Sequence, residues 1–321
     1  MSYASQFNRV NLSSLKRSVG KGGANLPLDV LLIQRLLNGT KHLYQGKESL
    51  LPDGIYGPAT ERQIPLYQKF VVGMVNPDML INVNRVTHRS LVASLKPDYL
   101  LNQQIHSQLN QKSAIDTGHF KALYKTQFPG AQHLGSLVAL LKRILGDADI
   151  TDVRWVAYML ATVRRECGGT WQPIREWGRG RHRLYGNEIK VTDPVTGKEK
   201  VNVYYGRGYV QLTWDYNYRN VGELLGMGQS LYINPDEALK PDVAYKIMSL
   251  GMRKGIFANA SLAQFLSGKR TDYVGARRII NGNDHAEEIA RDARDFEELL
   301  FASSAQKVFR LMPNNRFAHY A

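Results

Sequence analysis

The stretch TDVRWVAYMLATVRRE (151–166) decides the fold of the larger part of this chain. Its apolar residues recur at three- and four-residue spacing, the period of a helix with one buried face. Trp155, Met159 and Thr162 share a stripe, Glu166 continues it, and Cys167-Gly168-Gly169 then stops the helix. The same periodicity runs through HFKALYKTQF (119–128), GSLVALLKRIL (135–145), DVAYKIMSLGMRKGIF (242–257), SLAQFLSG (261–268) and AEEIARDARDFEELLF (286–301). In their midst KVTDPVTGKEKVNVYYG (190–206) alternates Val, Thr and Tyr around Pro194 and Gly197, which reads as a β-hairpin. Residues 115–301 are thus expected to form a mainly α domain with a small β element.

Three features of that domain suggest chemistry. Glu166 places a carboxyl group at the end of an apolar stripe, a setting that suits a general acid. The alternative is an ordinary surface pair with Arg164 or Arg165. Glu176 follows in WQPIREWGRGRHRLYG (171–186), among Arg175, Arg179, Arg181 and Arg183, in what reads as a cleft-edge loop. Cationic neighbours favour a carboxylate that activates water. Two carboxyls in contrasting surroundings are the minimum equipment for glycosidic hydrolysis. The third feature, YYGRGYVQLTWDYNY (204–218), sets Tyr204, Tyr205, Tyr209, Trp214, Tyr216 and Tyr218 around Gln211, Thr213 and Asn217. Apolar faces beside amides and hydroxyls suit a glycan groove, and an aromatic core stripe is the competing reading.

The N-terminal part reads as a small bundle of three short helices. NLPLDVLLIQRLLNG (25–39) offers Asn25 as cap, Pro27 in the first turn and Asn38-Gly39 as terminator. The turn LPDGIYGPAT (51–60) follows, Pro58 opens a second helix through Tyr67, Gln68 and Phe70, and THRSLVASL (87–95) makes a third capped by Thr87. Residues 96–114, rich in Gln and Asn, read as a linker.

With 321 residues, 43% hydrophobic and 22% charged, the chain fits a folded two-domain protein and not a disordered or low-complexity one. The apolar segment VAYMLATV (156–163) is far shorter than the ~20 residues a membrane span needs. The start MSYASQFNRVNLSSLKRS lacks the apolar centre of a secretory signal, so work outside the cytoplasm is expected to need another exit route. The net charge of +14 implies an anionic partner. No Lys/Arg run exceeds two residues, which argues against a nucleic-acid arm. The eight histidines form no HxH or HExxH pattern, so no metal site is expected. Cys167, the single cysteine, reads as packing at a helix end rather than as a nucleophile.

Two resemblances sharpen these expectations. SVGKGGANLPLDVLLIQRLLN (18–38) and DGIYGPATERQIPLYQKF (53–70) resemble the peptidoglycan-binding three-helix module of cell-wall hydrolases. Asp53, Tyr56 and Arg85 are the positions at which that resemblance suggests a shallow wall-binding groove, while each motif residue also has a purely structural reading. WVAYMLATVRRE (155–166), WQPIREWG (171–178), YYGRGYVQLTWDYNY (204–218), GMRKGIF (251–257) and VGARRIINGND (274–284) are similar, in order and spacing, to glycoside hydrolase family 19, a chitinase and phage-endolysin group with a lysozyme-like helical fold.

That second resemblance implies Glu166 as general acid, Thr213 with Gln211 positioning the water, and Tyr205, Asn217 and Asn281 at the sugar. Arg165 stands where the family usually has a histidine. For the second carboxylate Glu176 matches the phage-type loop, and Glu188 has the spacing of the plant chitinase base; Glu176 is preferred. The implied reaction is inverting hydrolysis without a cofactor. The expected organisation is an N-terminal lead (1–17), a peptidoglycan-binding domain (18–95), a linker (96–114), a lysozyme-like catalytic domain (115–301) and a tail (302–321). The expected activity is a peptidoglycan hydrolase of the endolysin type, a monomer made without a signal peptide and released to the periplasmic wall by a holin or similar route. Its expected partner is bacterial peptidoglycan, with no nucleic acid and no stable membrane insertion. A chitinase or N-acetylglucosaminidase acting on chitin-like glycans is the alternative, and a non-catalytic cell-wall or nucleic-acid binding protein is the alternative of another class.

Overall fold

A computed structural model describes residues 15–44, 49–95 and 112–311, with side chains up to residue 304. Most of the expected linker and parts of the N-terminal lead and tail therefore lie outside the described residues. The fold is mainly helical, and among the described residues the strands form four separate two-stranded ladders. The chain divides into two compact units, residues 1–131 with 297–321 and residues 132–296.

In the first unit, helix Pro27–Gly39 buries Val30, Ile33, Leu36 and Leu37 against Ile64 and Tyr67 of helix Pro58–Phe70 and Leu91 of helix Val86–Ala93. Two expected caps are not caps. Asn25 sits one residue too early at φ 50°, and its side chain accepts from Gly20 N and donates to the Gly20 and Gly23 carbonyls, so it pins the preceding loop. Thr87 is inside its helix and buried, where its hydroxyl accepts from Gln68 Nε2 at 3.3 Å.

Gln68 belongs to an arrangement that the unit builds twice. Gln34 Nε2 donates to Asp53 Oδ1, the Ile55 carbonyl and Thr60 Oγ1, while Gly54 N donates to Gln34 Oε1. Gln68 Nε2 donates in the same way to Asp78 Oδ1, the Leu80 carbonyl and Thr87 Oγ1, and Met79 N donates to Gln68 Oε1. A buried amide with every group satisfied fixes a loop as firmly as an apolar contact does.

Helix Thr117–Gln127, expected in the second domain, lies with this first unit. Asp116 caps it through Gly118 N and His119 N, and Gln127 Oε1 accepts from Leu28 N at 3.1 Å. The last long helix, Ala286–Leu311, continues ten residues past the expected end at residue 301, and its later part lies with the first unit, where Arg35 Nη1 meets Glu298 Oε2 at 2.6 Å.

The second unit is organised on helix Val153–Glu166, capped by Asp152 accepting from Arg154 N at 2.8 Å. All eight residues from Val156 to Val163 are fully buried, so the expected one-sided helix is buried on every face and serves as the unit's axis. Helices Leu134–Gly146, Asp215–Leu224 and Pro241–Lys254 also belong to this unit, with the first part of Ala286–Leu311. The expected hairpin forms as Ile189–Thr192 paired with Glu199–Asn202. A ladder that the sequence pattern does not signal pairs Ile174–Arg175 with Arg207–Gly208.

Candidate active site

That short ladder and the end of the axial helix meet at one segment of chain. The axial helix ends at Glu166, and the next side chain, Cys167, is buried with Sγ 3.9 Å from the Gly208 carbonyl and 3.7 Å from that of Tyr209. Glu176 leaves the partner strand and crosses to Gly206: its N donates to the Gly206 carbonyl at 2.7 Å, and Gly206 N donates back to Glu176 Oε2 at 2.9 Å. Residues 206–209 therefore carry the end of the axial helix at one end and Glu176 at the other. A side chain at Gly206 would collide with the site, since a Cβ there would lie 2.8 Å from Gln211 Oε1 and 3.3 Å from Glu176 Cβ.

Glu166 does not pair with either arginine beside it. Arg164 pairs with Asp292 and Arg165 with Glu288 and His285, while Glu166 Oε1 accepts from Arg277 Nη1 at 2.7 Å. The Arg277 side chain is 5% exposed, against 17% for Glu166, and its Nε is tied to the Asp284 carbonyl at 2.8 Å. A buried guanidinium anchored at a second point holds one oxygen of the carboxyl group in place. Oε2 takes no hydrogen bond among the described residues.

Glu176 also differs from expectation, because none of its neighbouring arginines forms an ion pair with it among the described residues. Arg175 pairs with Asp236 at 2.8 Å. Glu176 Oε1 instead accepts from Tyr185 Oη at 2.7 Å, so its two oxygens each take one hydrogen bond and keep lone pairs for a water. Burial, followed by the bond to Glu176, pushes the Tyr185 phenol up to about 12, so it remains a donor over the working range of an enzyme. Glu188 is exposed at the start of the hairpin.

The aromatic segment divides between core and surface. Tyr204, Tyr205, Tyr209 and Tyr218 are buried, so for these the core stripe is the correct reading. Arg207 lies 3.6 Å from the Tyr205 ring centroid and reaches Asp236 through Nε at 2.8 Å. Trp214 and Tyr216 stack with centroids 5.8 Å apart, and Tyr216 is 57% exposed. Gln211 and Trp214 are both left-handed, with φ of 54° and 71°, conformations that side chains other than glycine adopt only at a cost. Gln211 Nε2 donates to the Ile174 and Gly208 carbonyls, which leaves Oε1 beside Gly206 and Glu176. Thr213 is half-buried and its carbonyl accepts from Asn217 Nδ2 at 2.9 Å. Asn281 is exposed and tied by its N to the Arg277 carbonyl at 3.2 Å.

Burial, with the nearby Glu166 charge, pushes the Cys167 thiol up, so it is a packing group and not a nucleophile. Among the described residues no cluster of His, Cys, Asp and Glu is arranged to hold a metal ion, and no helix is long and apolar enough to cross a membrane. In the first unit Asp53 is engaged by Gln34 and Ile55 N. Tyr56 Oη is buried without a hydrogen-bond partner among the described residues, and Arg85 is exposed. Sequence reasoning missed Arg277 and Tyr185: the first stood inside the stretch VGARRIINGND (274–284), and the second inside the Arg-rich loop.

No family model matches the chain. It is 45% identical over 49 residues to an acidic 26 kDa endochitinase of Solanum lycopersicum, a stretch that covers 15% of this chain and 19% of that protein. It is 36% identical over 94 residues to an endochitinase of Arabidopsis thaliana, covering 29% of this chain and 30% of that protein. The chain thus spans less than a third of the length of these curated relatives. Chitinase C of Streptomyces griseus superposes with a TM-score of 0.39 at 21% identity, over 60% of this chain and 95% of that one. By sequence, then, this mainly helical chain shares local similarity with plant endochitinases.

Proposed function

We propose that this protein is a glycoside hydrolase of the endolysin type, cutting β-1,4 bonds of the peptidoglycan glycan strand on the muramic side. One observation carries the reading: Glu176 and the end of the helix bearing Glu166 are both bound to the four residues 206–209. In the proposed reaction Glu166 protonates the leaving oxygen from Oε2 while Arg277 holds Oε1. Glu176 accepts a proton from the attacking water, and Gln211 and Thr213 orient that water. Inversion by single displacement follows from this division of labour, and no cofactor takes part. The first unit is proposed to hold the wall, which the +14 charge favours. A protein of this kind would act as a monomer and reach the periplasmic wall through a holin or a similar pore.

A neutral chitin-like glycan is the second reading, favoured by the local similarity to endochitinases. Glu166→Gln tests the hydrolase reading on cells stripped of their outer membrane. It keeps shape and hydrogen bonding but removes the proton, so a ~10²–10⁴-fold loss of lysis with an unchanged melting profile is expected. Lysis near the unsubstituted rate would overturn it.

A further inference from the structure

The loop between Glu176 and Tyr185 is more exposed and more charged than a catalytic strut requires. Trp177 is 95% exposed and Leu184 81% exposed, and Arg179, Arg181 and Arg183 all face solvent. No carboxylate among the described residues pairs with any of those three guanidinium groups, whereas Arg175 and Arg207 on the flanking strands share Asp236.

The loop is nevertheless tightly held. Tyr185 Oη and Glu176 Oε1 join its ends at 2.7 Å. Backbone bonds from Arg179 N to the Glu176 carbonyl, Arg181 N to that of Gly178 and Arg183 N to that of Gly180 fold it on itself. A Cβ at Gly186 would lie 1.9 Å from the Gly180 carbonyl oxygen, so the two backbones touch. Three like charges are thus displayed on a braced loop without an ion-pair partner among the described residues, an arrangement that favours an anionic ligand. A neutral polysaccharide could accept hydrogen bonds from them but would offer no counter-charge.

We propose that the loop 177–184 is a docking surface for the carboxylates of a peptide-bearing glycan strand, with Trp177 offering an apolar face to a sugar and Arg181 and Arg183 engaging the carboxylates. The proposal rests on the peptidoglycan reading and narrows it: the loop selects strands that carry acidic substituents over neutral chitin-like chains. Guanidinium forks match carboxylates in geometry as well as charge, and a braced loop gives up little entropy on contact.

The test uses the full chain carrying Glu166→Gln, so that binding is read without cleavage, with and without Arg181→Gln/Arg183→Gln. Co-sedimentation is measured on purified sacculi, on the same sacculi with carboxylates converted to amides, and on duplex DNA. The expected result is a rise of about three- to tenfold in half-saturating concentration on untreated sacculi, the size that exposed ion pairs allow, and no effect of the double substitution on amidated sacculi. An unchanged affinity for untreated sacculi, or an equal loss on the amidated form, would overturn the proposal. Loss on DNA alone would assign the loop to phosphate and overturn it too. Hydrolysis is scored separately with the unsubstituted protein. An inactive protein whose binding still depends on the arginines would defeat the hydrolase reading and leave the docking surface standing.

Discussion

Tyr185 Oη donates to Glu176 Oε1 at 2.7 Å, and this bond both orients the second carboxylate and closes the exposed loop between them. The Tyr185 ring is itself held edge-on to Trp214 with centroids 5.6 Å apart, so loop, carboxylate and the strained segment before helix Asp215–Leu224 form one unit.

Tyr185→Phe removes the bond and keeps the ring contact. A hydrogen bond to a charged acceptor contributes about 1.5–3 kcal/mol, and partial exposure puts this one at the low end. Turnover is expected to fall about tenfold or less while denaturant unfolding shifts by about 1.5 kcal/mol. Turnover unchanged in kinetics on sacculi would mean that Tyr185 does not position Glu176.

Glu176→Gln and Glu188→Gln should behave differently. The amide at 176 can accept from Gly206 N and donate to the Tyr185 hydroxyl, but it has no anionic oxygen for a water. A loss of about 100-fold or more in rate is expected, within the range of general base catalysis. The exposed Glu188 should tolerate the change within about twofold, like most surface substitutions. Rates measured on the same sacculus preparation decide between them, and a larger effect at 188 would move the base to the hairpin.

In the first unit Gln34→Leu should cost about 2 kcal/mol or more, because Gly54 N and Thr60 lose a buried partner. Gln68→Leu should cost a similar amount, since the same arrangement recurs there. Chemical denaturation followed by circular dichroism measures both. Two fully tolerated substitutions would show that the motif is kept for binding and not for the fold.

The axial helix was legible because Trp155, Met159 and Thr162 recur at helical spacing, yet its burial on all faces was not, since periodicity reports only the most apolar face. Glu166 and Glu176 were legible as a carboxylate at a helix end and one in an Arg-rich loop, but the expected contrast is reversed, since a guanidinium pairs with Glu166 and none of the loop arginines pairs with Glu176 among the described residues. Their actual partners were not legible, because Arg277 lies 111 residues from Glu166 and Gly206 lies 30 from Glu176. Asn25 and Thr87 misled for a related reason: polar residues that suit caps also suit long-range hydrogen bonds, and tertiary contacts won. In the aromatic segment composition alone could not separate buried Tyr204 and Tyr218 from the surface pair Trp214 and Tyr216.

Asp236 gives a pH dependence. Burial opposes its charge, but hydrogen bonds from Arg175 and Arg207 outweigh that and hold its carboxyl below the ordinary value of 3.8. A carboxyl lowered in the folded state contributes stability that is present above the unfolded value and lost as pH falls through the folded one. Asp236→Asn should therefore destabilise most at neutral pH, and the gap should narrow as the medium is taken below about pH 4. Thermal melts of both proteins from pH 7 to 3 check this, and a gap that widened on acidification would contradict the assignment.

The most direct test of the central claim is end-group analysis of digested sacculi by mass spectrometry, with the unsubstituted protein and Glu166→Gln in parallel. Hydrolysis by Glu166 and Glu176 on the muramic side predicts new reducing muramic ends in the first digest and almost none in the second. Intact glycan strands with cut peptides, anhydro sugar ends, or equal release by Glu166→Gln would contradict it.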